Sequence, residues 1–285
     1  MELQYQYFTG RFEGHHKMVL FYQSWRPVFC EKIIVIVHGL GEHSGRYREL
    51  IEAFANEGAG FYAFDLRGHG RSKGQRGYIQ SFSQLTDDLR AFLKLVSIHE
   101  NNRPLVLLGH SLGGLICLRY LIECASRTGV APTAAILTNP TLKIAIDVPR
   151  WKEALSGWLS ALAPRLSLYN ELDLQSLSHD PAVVEAVQRD KLCHQRITGR
   201  FYHEILSAIA YVQRNVALIH TPMQILLGGE DRVIDPEGAK AFFEHLALGQ
   251  KTLKVYPQLY HELIHEIGKE EVFSDIKRWL KTTDG

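Results

Sequence analysis

Six apolar runs of strand length, IIVIV, GFYAF, PLVLL, AAILT, MQILL and TLKVY, are spaced along the chain and alternate with segments of helical periodicity. No other feature limits the fold so strongly. IIVIV is apolar at every position, which suits a strand buried on both faces, and parallel strands need a crossover to bring the chain back. The intervening segments supply those crossovers. SFSQLTDDLRAFLKLVSIHE carries Leu85, Leu89, Phe92, Leu93 and Val96 on one helical stripe. RYRELIEAFANEG reads as a helix closed by Gly58, LGGLICLRYLIECA as a strongly apolar helix, and PEGAKAFFEHLA and EEVFSDIKRWLK as two more. The expectation is an α/β fold, with a mostly parallel central sheet covered by helices on both faces. LQYQYF and KMVLFYQSW, ahead of the series, read as a hairpin of edge strands.

The rhythm breaks once. Residues 141–221 are longer than one crossover helix needs, and a helical insertion is more economical there than a structureless loop. RWKEALSGWLSALAPRL and GRFYHEILSAIAYVQRN read as helices within it. The expected organisation is a core of residues 1–140 and 222–285, with residues 141–221 as a helical cap over the carboxyl ends of the strands. Open α/β sheets bind ligands at that end.

Composition narrows the function classes. The 285 residues are 46% hydrophobic and 22% charged, with a net charge of +1, so no basic stripe recommends nucleic acid. Cys30, Cys117, Cys124 and Cys193 form no C-x-x-C pair and read as free, mostly buried thiols of a reducing compartment. No signal peptide or bilayer-length apolar run is visible, and the expected location is cytoplasmic.

Gly109-His110-Ser111-Leu112-Gly113 satisfies G-x-S-x-G between a buried strand and an apolar helix. A serine on such a strand-to-helix turn projects its hydroxyl above the sheet. The Leu112 N–H then lies in the first helical turn, where donors are unpaired and an oxyanion can be held. A second donor is expected from HGLGEHSGRY, after the first parallel strand, with the Leu40 N–H as candidate. The serine needs a histidine to take its proton and a carboxylate to orient that histidine, in the chain order Ser, acid, His. GGEDRVIDPEG offers Glu230, Asp231 and Asp235. Asp235 precedes Pro236 as a helix N-cap would, which leaves Asp231 as the acid and Glu230 in reserve. His261 follows the next strand and is the expected base.

A competing chemistry claims the same histidine. His261-Glu262-Leu263-Ile264-His265 matches the zinc signature H-E-x-x-H, and Glu271 stands where a third ligand would. That reading needs both histidines inside one regular helix. TLKVYPQLYHE is instead a strand running into a loop, with Pro257 just before the motif, so no metal is expected and His265 is left on a helix face or pocket rim.

With these residues in place, the sequence resembles the α/β-hydrolase superfamily, and within it the monoacylglycerol lipase and lysophospholipase branch, which is serine aminopeptidase S33-like. HGLGEHSGRY, FDLRGHGRSKGQRG, GHSLGG, NPTL, GGEDRVID and YHELIHE carry the resemblance in order along nearly the whole chain. It implies an α/β-hydrolase fold with a helical cap, Ser111, Asp231 and His261 as catalytic residues, and Leu40 and Leu112 as oxyanion donors. It also implies a small lipid ester as substrate and no cofactor. Relatives place polar groups for the glycerol end in the segment that is Glu42 to Arg46 here. These two either meet substrate, with His110 beside them, or form a salt bridge that props the oxyanion loop. Mammalian relatives carry a second histidine three residues after the catalytic one, and here that position is Ile264. Asp65, His69 and Arg76 are expected to brace loops. Trp151, Leu155, Trp158, Leu159 and Leu162 make an apolar face of the cap, for packing on the core or for transient contact with a membrane surface. A lysophospholipase or broad carboxylesterase is the alternative within enzymes, and a non-catalytic binding protein on the same fold the alternative outside them. Oligomeric state is not legible.

Overall fold

The computed structural model describes residues 5–124, 129–145, 162–170 and 172–283. In chain order its strands are β1 (Tyr5–Glu13), β2 (Val19–Pro27), β3 (Lys32–Val37), β4 (Ala59–Phe64), β5 (Leu105–His110), β6 (Ala134–Thr138), β7 (Ser167–Tyr169), β8 (Arg196–Thr198), β9 (Met223–Gly228) and β10 (Lys251–Tyr256). The described helices are α1 (Arg48–Ala53), α2 (Ser83–His99), α3 (Leu112–Cys124), α4 (Pro181–Arg189), α5 (Gly199–Arg214), α6 (Pro236–His245) and α7 (Lys269–Thr282). Eight strands form one sheet in the order β1-β2-β4-β3-β5-β6-β9-β10. The β1–β2 hairpin and its junction with β4 are antiparallel, and every pairing from β4 across to β10 is parallel.

Strand β3 shows why the apolar runs behave as they do. Val35 and Val37 point into one core while Ile34 and Ile36 point into the other, so both faces are buried. The first core is closed by α2, α3, α5 and α6, and the second by α1 and α7. The stripe of α2 behaves as its spacing requires, with Leu85, Leu89, Phe92, Leu93 and Val96 all buried. Helix α1 is shorter than expected. It stops at Ala53, and the chain continues through turns closed by Glu57 N–H to Phe54 carbonyl, reaching Gly58 at φ +62°.

Within residues 141–221, α5 packs Phe201, Ile205, Ala208, Ile209 and Val212 into the same core as α3. β7 and β8 pair antiparallel outside the main sheet. Of the expected helix RWKEALSGWLSALAPRL, the part before Leu162 lies outside the described residues. Backbone bonds join the insertion to the loops that follow β3 and β10: His194 N–H donates to the Gly41 carbonyl at 2.8 Å, and Glu262 N–H to the Leu177 carbonyl at 2.9 Å. Among the described residues no helix is long and apolar enough to cross a membrane. Cys30 and Cys117 are buried free thiols and Cys193 is half-buried.

Candidate active site

Strand β5 ends at His110, α3 begins at Leu112, and the residue between them is forced into a turn. Ser111 sits at φ +52°, a left-handed conformation that costs a non-glycine residue free energy. Its N–H donates to the Thr138 carbonyl at 3.0 Å, which holds the turn against β6. Glycine at 113 is required by the close approach beneath the turn, since a Cβ there would lie 1.9 Å from the Val37 carbonyl oxygen. The strained serine is thereby lifted above the sheet.

Two long-range partners meet it. Ser111 Oγ lies 3.0 Å from His261 Nε2, and His261 Nδ1 lies 2.7 Å from Asp231 Oδ2. Since a carboxylate only accepts, Nδ1–H donates to Asp231, and Nε2 is left to accept from the serine hydroxyl. The other Asp231 oxygen accepts from the Val233 and Ile234 N–H groups at 2.8 and 2.9 Å, which fixes the carboxylate. Burial lowers the His261 pKa, but the Asp231 carboxylate more than offsets it, and the net shift is upward. Glu230 is exposed, and Asp235 caps α6 by accepting from Glu237 N–H at 2.9 Å.

The Leu40 and Leu112 N–H groups have no acceptor among the described residues. The loop that carries Leu40 lies against Ser111, because a Cβ on Gly39 would be 3.2 Å from Ser111 Cβ. His38 shapes that loop. Its Nε2 accepts from Leu66 N–H at 2.9 Å, so Nδ1–H donates to the Gly39 carbonyl at 2.8 Å. Asp65 braces the same loop by accepting from Ser44 N–H at 2.9 Å, and Arg76 donates to the Gly70 carbonyl at 2.8 Å.

Glu42 and Arg46 take part in a buried network behind the loop. Glu42 Oε1 accepts from Gly39 N–H at 2.5 Å and Tyr47 O–H at 3.0 Å, while Oε2 accepts from Arg46 at 3.1 Å. The same guanidinium grips Glu262 through two bonds of 2.9 and 3.1 Å. Burial pushes the Glu262 carboxyl up, but Arg46 and His265 hold it well below the ordinary glutamate value. Arg46 therefore ties the loop after β3 to the loop that carries His261. Of the two readings of Glu42 and Arg46, the salt-bridge geometry is the one present. His110 bonds Thr138 Oγ1 at 3.0 Å, and burial lowers it to about 4, so it stays neutral beside His261.

The H-E-x-x-H segment is not a helix. Leu263–His265 is a single 3-10 turn, and α7 starts only at Lys269. His265 is neither on a helix face nor at a rim: it is buried, with Nδ1 at 2.6 Å from Glu262 and Nε2–H donating to the Arg46 carbonyl at 2.7 Å. Glu271 points outward to Lys254. Another set with metal-ligand spacing among the described residues is His43, Asp190 and Cys193. There Nδ1 of His43 accepts from Gly45 N–H at 3.1 Å, so the proton sits on Nε2, which donates to Asp190 at 2.7 Å. The lone pair a cation would need is already used.

Glu262 and Asn139 escaped the sequence reading as site residues. The one lay in the zinc pattern and in the YHELIHE block, and the other in the NPTL block, with no site role read from either.

Residues 30–268 match the family model described as serine aminopeptidase, S33. The chain belongs to this S33 family. It is 30% identical over 271 residues to a monoacylglycerol lipase of Mycolicibacterium smegmatis, covering 94% of this chain and 95% of that protein. It is 32% identical over 267 residues to an abhydrolase domain-containing protein of Dictyostelium discoideum; that alignment covers 93% of this chain but spans only 28% of the larger protein. The crystal structure of a Paleococcus ferrophilus monoacylglycerol lipase superposes with a TM-score of 0.82 at 33% identity, covering 93% of this chain and 99% of that one. The S33 member described here therefore has the α/β-hydrolase fold.

Proposed function

We propose that this S33 protein is a serine hydrolase that cleaves a monoacylglycerol-like lipid to fatty acid and glycerol. The observation that carries the reading is the hydrogen-bond chain from Asp231 through His261 to Ser111, at 2.7 and 3.0 Å. Ser111 Oγ attacks the ester carbonyl as its proton passes to His261 Nε2, and the oxyanion is held by the Leu40 and Leu112 N–H groups. His261 returns the proton to the leaving alcohol. Water then attacks the acyl-enzyme by the same route and releases the acid. No cofactor takes part in this scheme. The lipid class rests on the kinship with the Mycolicibacterium and Paleococcus monoacylglycerol lipases, which runs over nearly the whole length of each.

Residues 141–221 act in this reading as the cap, and their bonds to the Gly41 carbonyl and to Glu262 N–H support it. Exposed Leu162, Leu166, Leu168 and Tyr169 make the cap the part that touches lipid. The protein then works in the cytoplasm and peripherally at membranes.

A fluorophosphonate probe should label the wild-type chain and not Ser111→Ala, whose ester turnover should fall to what binding and oxyanion hole retain, ~10³–10⁴ over water. Wild-type turnover in that variant would refute the assignment. Monoolein should be hydrolysed faster than lysophosphatidylcholine, and the reverse would make the protein a lysophospholipase. An aminoacyl p-nitroanilide tests the reaction in the family's own name.

A further inference from the structure

Strand β6 lies between β5, which leads to Ser111, and β9, which leads to Asp231, yet the loop after it supplies no member of the triad. That loop nonetheless bonds to all three arms of the site. The Thr138 carbonyl accepts from Ser111 N–H at 3.0 Å, and Thr141 N–H donates to the Ser111 carbonyl at 3.1 Å. Asn139, buried and at φ +43°, does the rest with its side chain. Its Oδ1 accepts from Gly228 N–H, at the end of β9, at 2.9 Å. Its Nδ2 donates to the His261 carbonyl at 2.7 Å and to the Tyr260 carbonyl at 3.3 Å.

These partners fix the amide's orientation, because a flipped group would set NH₂ against an N–H and an oxygen against two carbonyls. They also fix the residue type. A carboxylate keeps the bond to Gly228 and loses both donors, while an aliphatic side chain takes the acceptor from the buried Gly228 N–H and one donor from each of the His261 and Tyr260 carbonyls. The His261 carbonyl has a second, local donor in Leu263 N–H at 3.1 Å, so the Asn139 bond is the one that ties it across to β9.

We propose that Asn139 is a positioning residue, which holds the His261 backbone at the distance from β9 and Ser111 that lets one imidazole bridge Asp231 and Ser111. The inference rests on the hydrolase reading above. A displacement of the base by a fraction of an ångström is enough to matter, since catalytic geometry lost by about 1 Å costs about 10²-fold in rate.

The test uses the full chain and two variants, Asn139→Asp and Asn139→Ser, with p-nitrophenyl butyrate as substrate and a fluorophosphonate as a probe of serine activation. Both variants, folded by circular dichroism at the assay temperature, should lose about tenfold to a hundredfold in kcat and in labelling rate, with KM within about threefold of wild type. A purely structural role would lower the melting temperature and leave kcat of the folded protein unchanged, and that result would overturn the proposal. If neither variant folds, hydrogen exchange in the wild-type chain decides. A Gly228 amide that exchanges as fast as an unbonded loop amide overturns the proposal, and a protected one supports it. An inert, unlabelled wild type would sink the hydrolase reading and this inference with it; an active wild type with equally active variants would sink this inference alone.

Discussion

His261 is pulled two ways, by burial toward the neutral form and by Asp231 toward the charged one, and the carboxylate wins. In the proposed mechanism His261 works as base only when neutral, so activity should fall as pH drops through a value above the ordinary histidine pKa of about 6.5. Asp231→Asn removes the raising charge and leaves burial unopposed. The acid limb of kcat/KM should move to lower pH, while kcat drops about 10⁴-fold because the tautomer is no longer held. A pH profile whose limb stays in place would contradict the pairing. At this scale the hydrogen-bonded set of Ser111, Asp231 and His261 was legible, since motif context and chain order single out those three. Glu262 was not. Its partner Arg46 is 216 residues away, and nothing local says that they meet.

The segment 261–265 shows how an element can be misread from a perfect local pattern. Backbone groups that a helix would use are bonded elsewhere: Glu262 N–H to Leu177, and the His261 carbonyl to Asn139. Tertiary partners outcompete the helical ladder, and the H-E-x-x-H spacing loses its meaning. The element that matters instead is the clamp of the two loops by Arg46. Both Glu42 and Glu262 are held below the ordinary glutamate value despite burial, so their contribution to stability is present above about pH 4.3 and is lost as pH falls through their folded values. Arg46→Met takes from two buried carboxylates the cation they share and should cost about 3–5 kcal/mol in urea unfolding at pH 7. The deficit should narrow toward pH 4, where the variant's carboxyls are neutral. An unchanged urea midpoint at pH 7 would show that the clamp contributes nothing.

For the whole molecule, the proposed lipid substrate must reach a buried site, and the exposed apolar residues of the insertion are the surface to test. Leu162 is 78% exposed and Tyr169 71%, with Leu166 and Leu168 between them, and apolar side chains so displayed in one stretch suit an interface. The double variant Leu162→Ser, Tyr169→Ser should bind phosphatidylcholine vesicles about tenfold more weakly, given the apolar area removed. Turnover of p-nitrophenyl butyrate in solution should be unchanged. Equal vesicle binding would move the lipid contact elsewhere. Of the expected apolar face, Trp151, Leu155, Trp158 and Leu159 lie outside the described residues, and Leu162 is exposed.

The sequence alone determined the wound sheet, its helical layers and the turn that presents Ser111. Each of these follows from burial repeated at a short period or from a turn whose sterics are local. Tertiary structure alone decided that Glu42 and Arg46 form a clamp and that Glu262 and His265 belong to it. It alone decided that Asn139 joins the end of β9 to the loop that carries His261. Those roles exist only as contacts between residues far apart in the chain, where charges and amides find partners that no local pattern encodes.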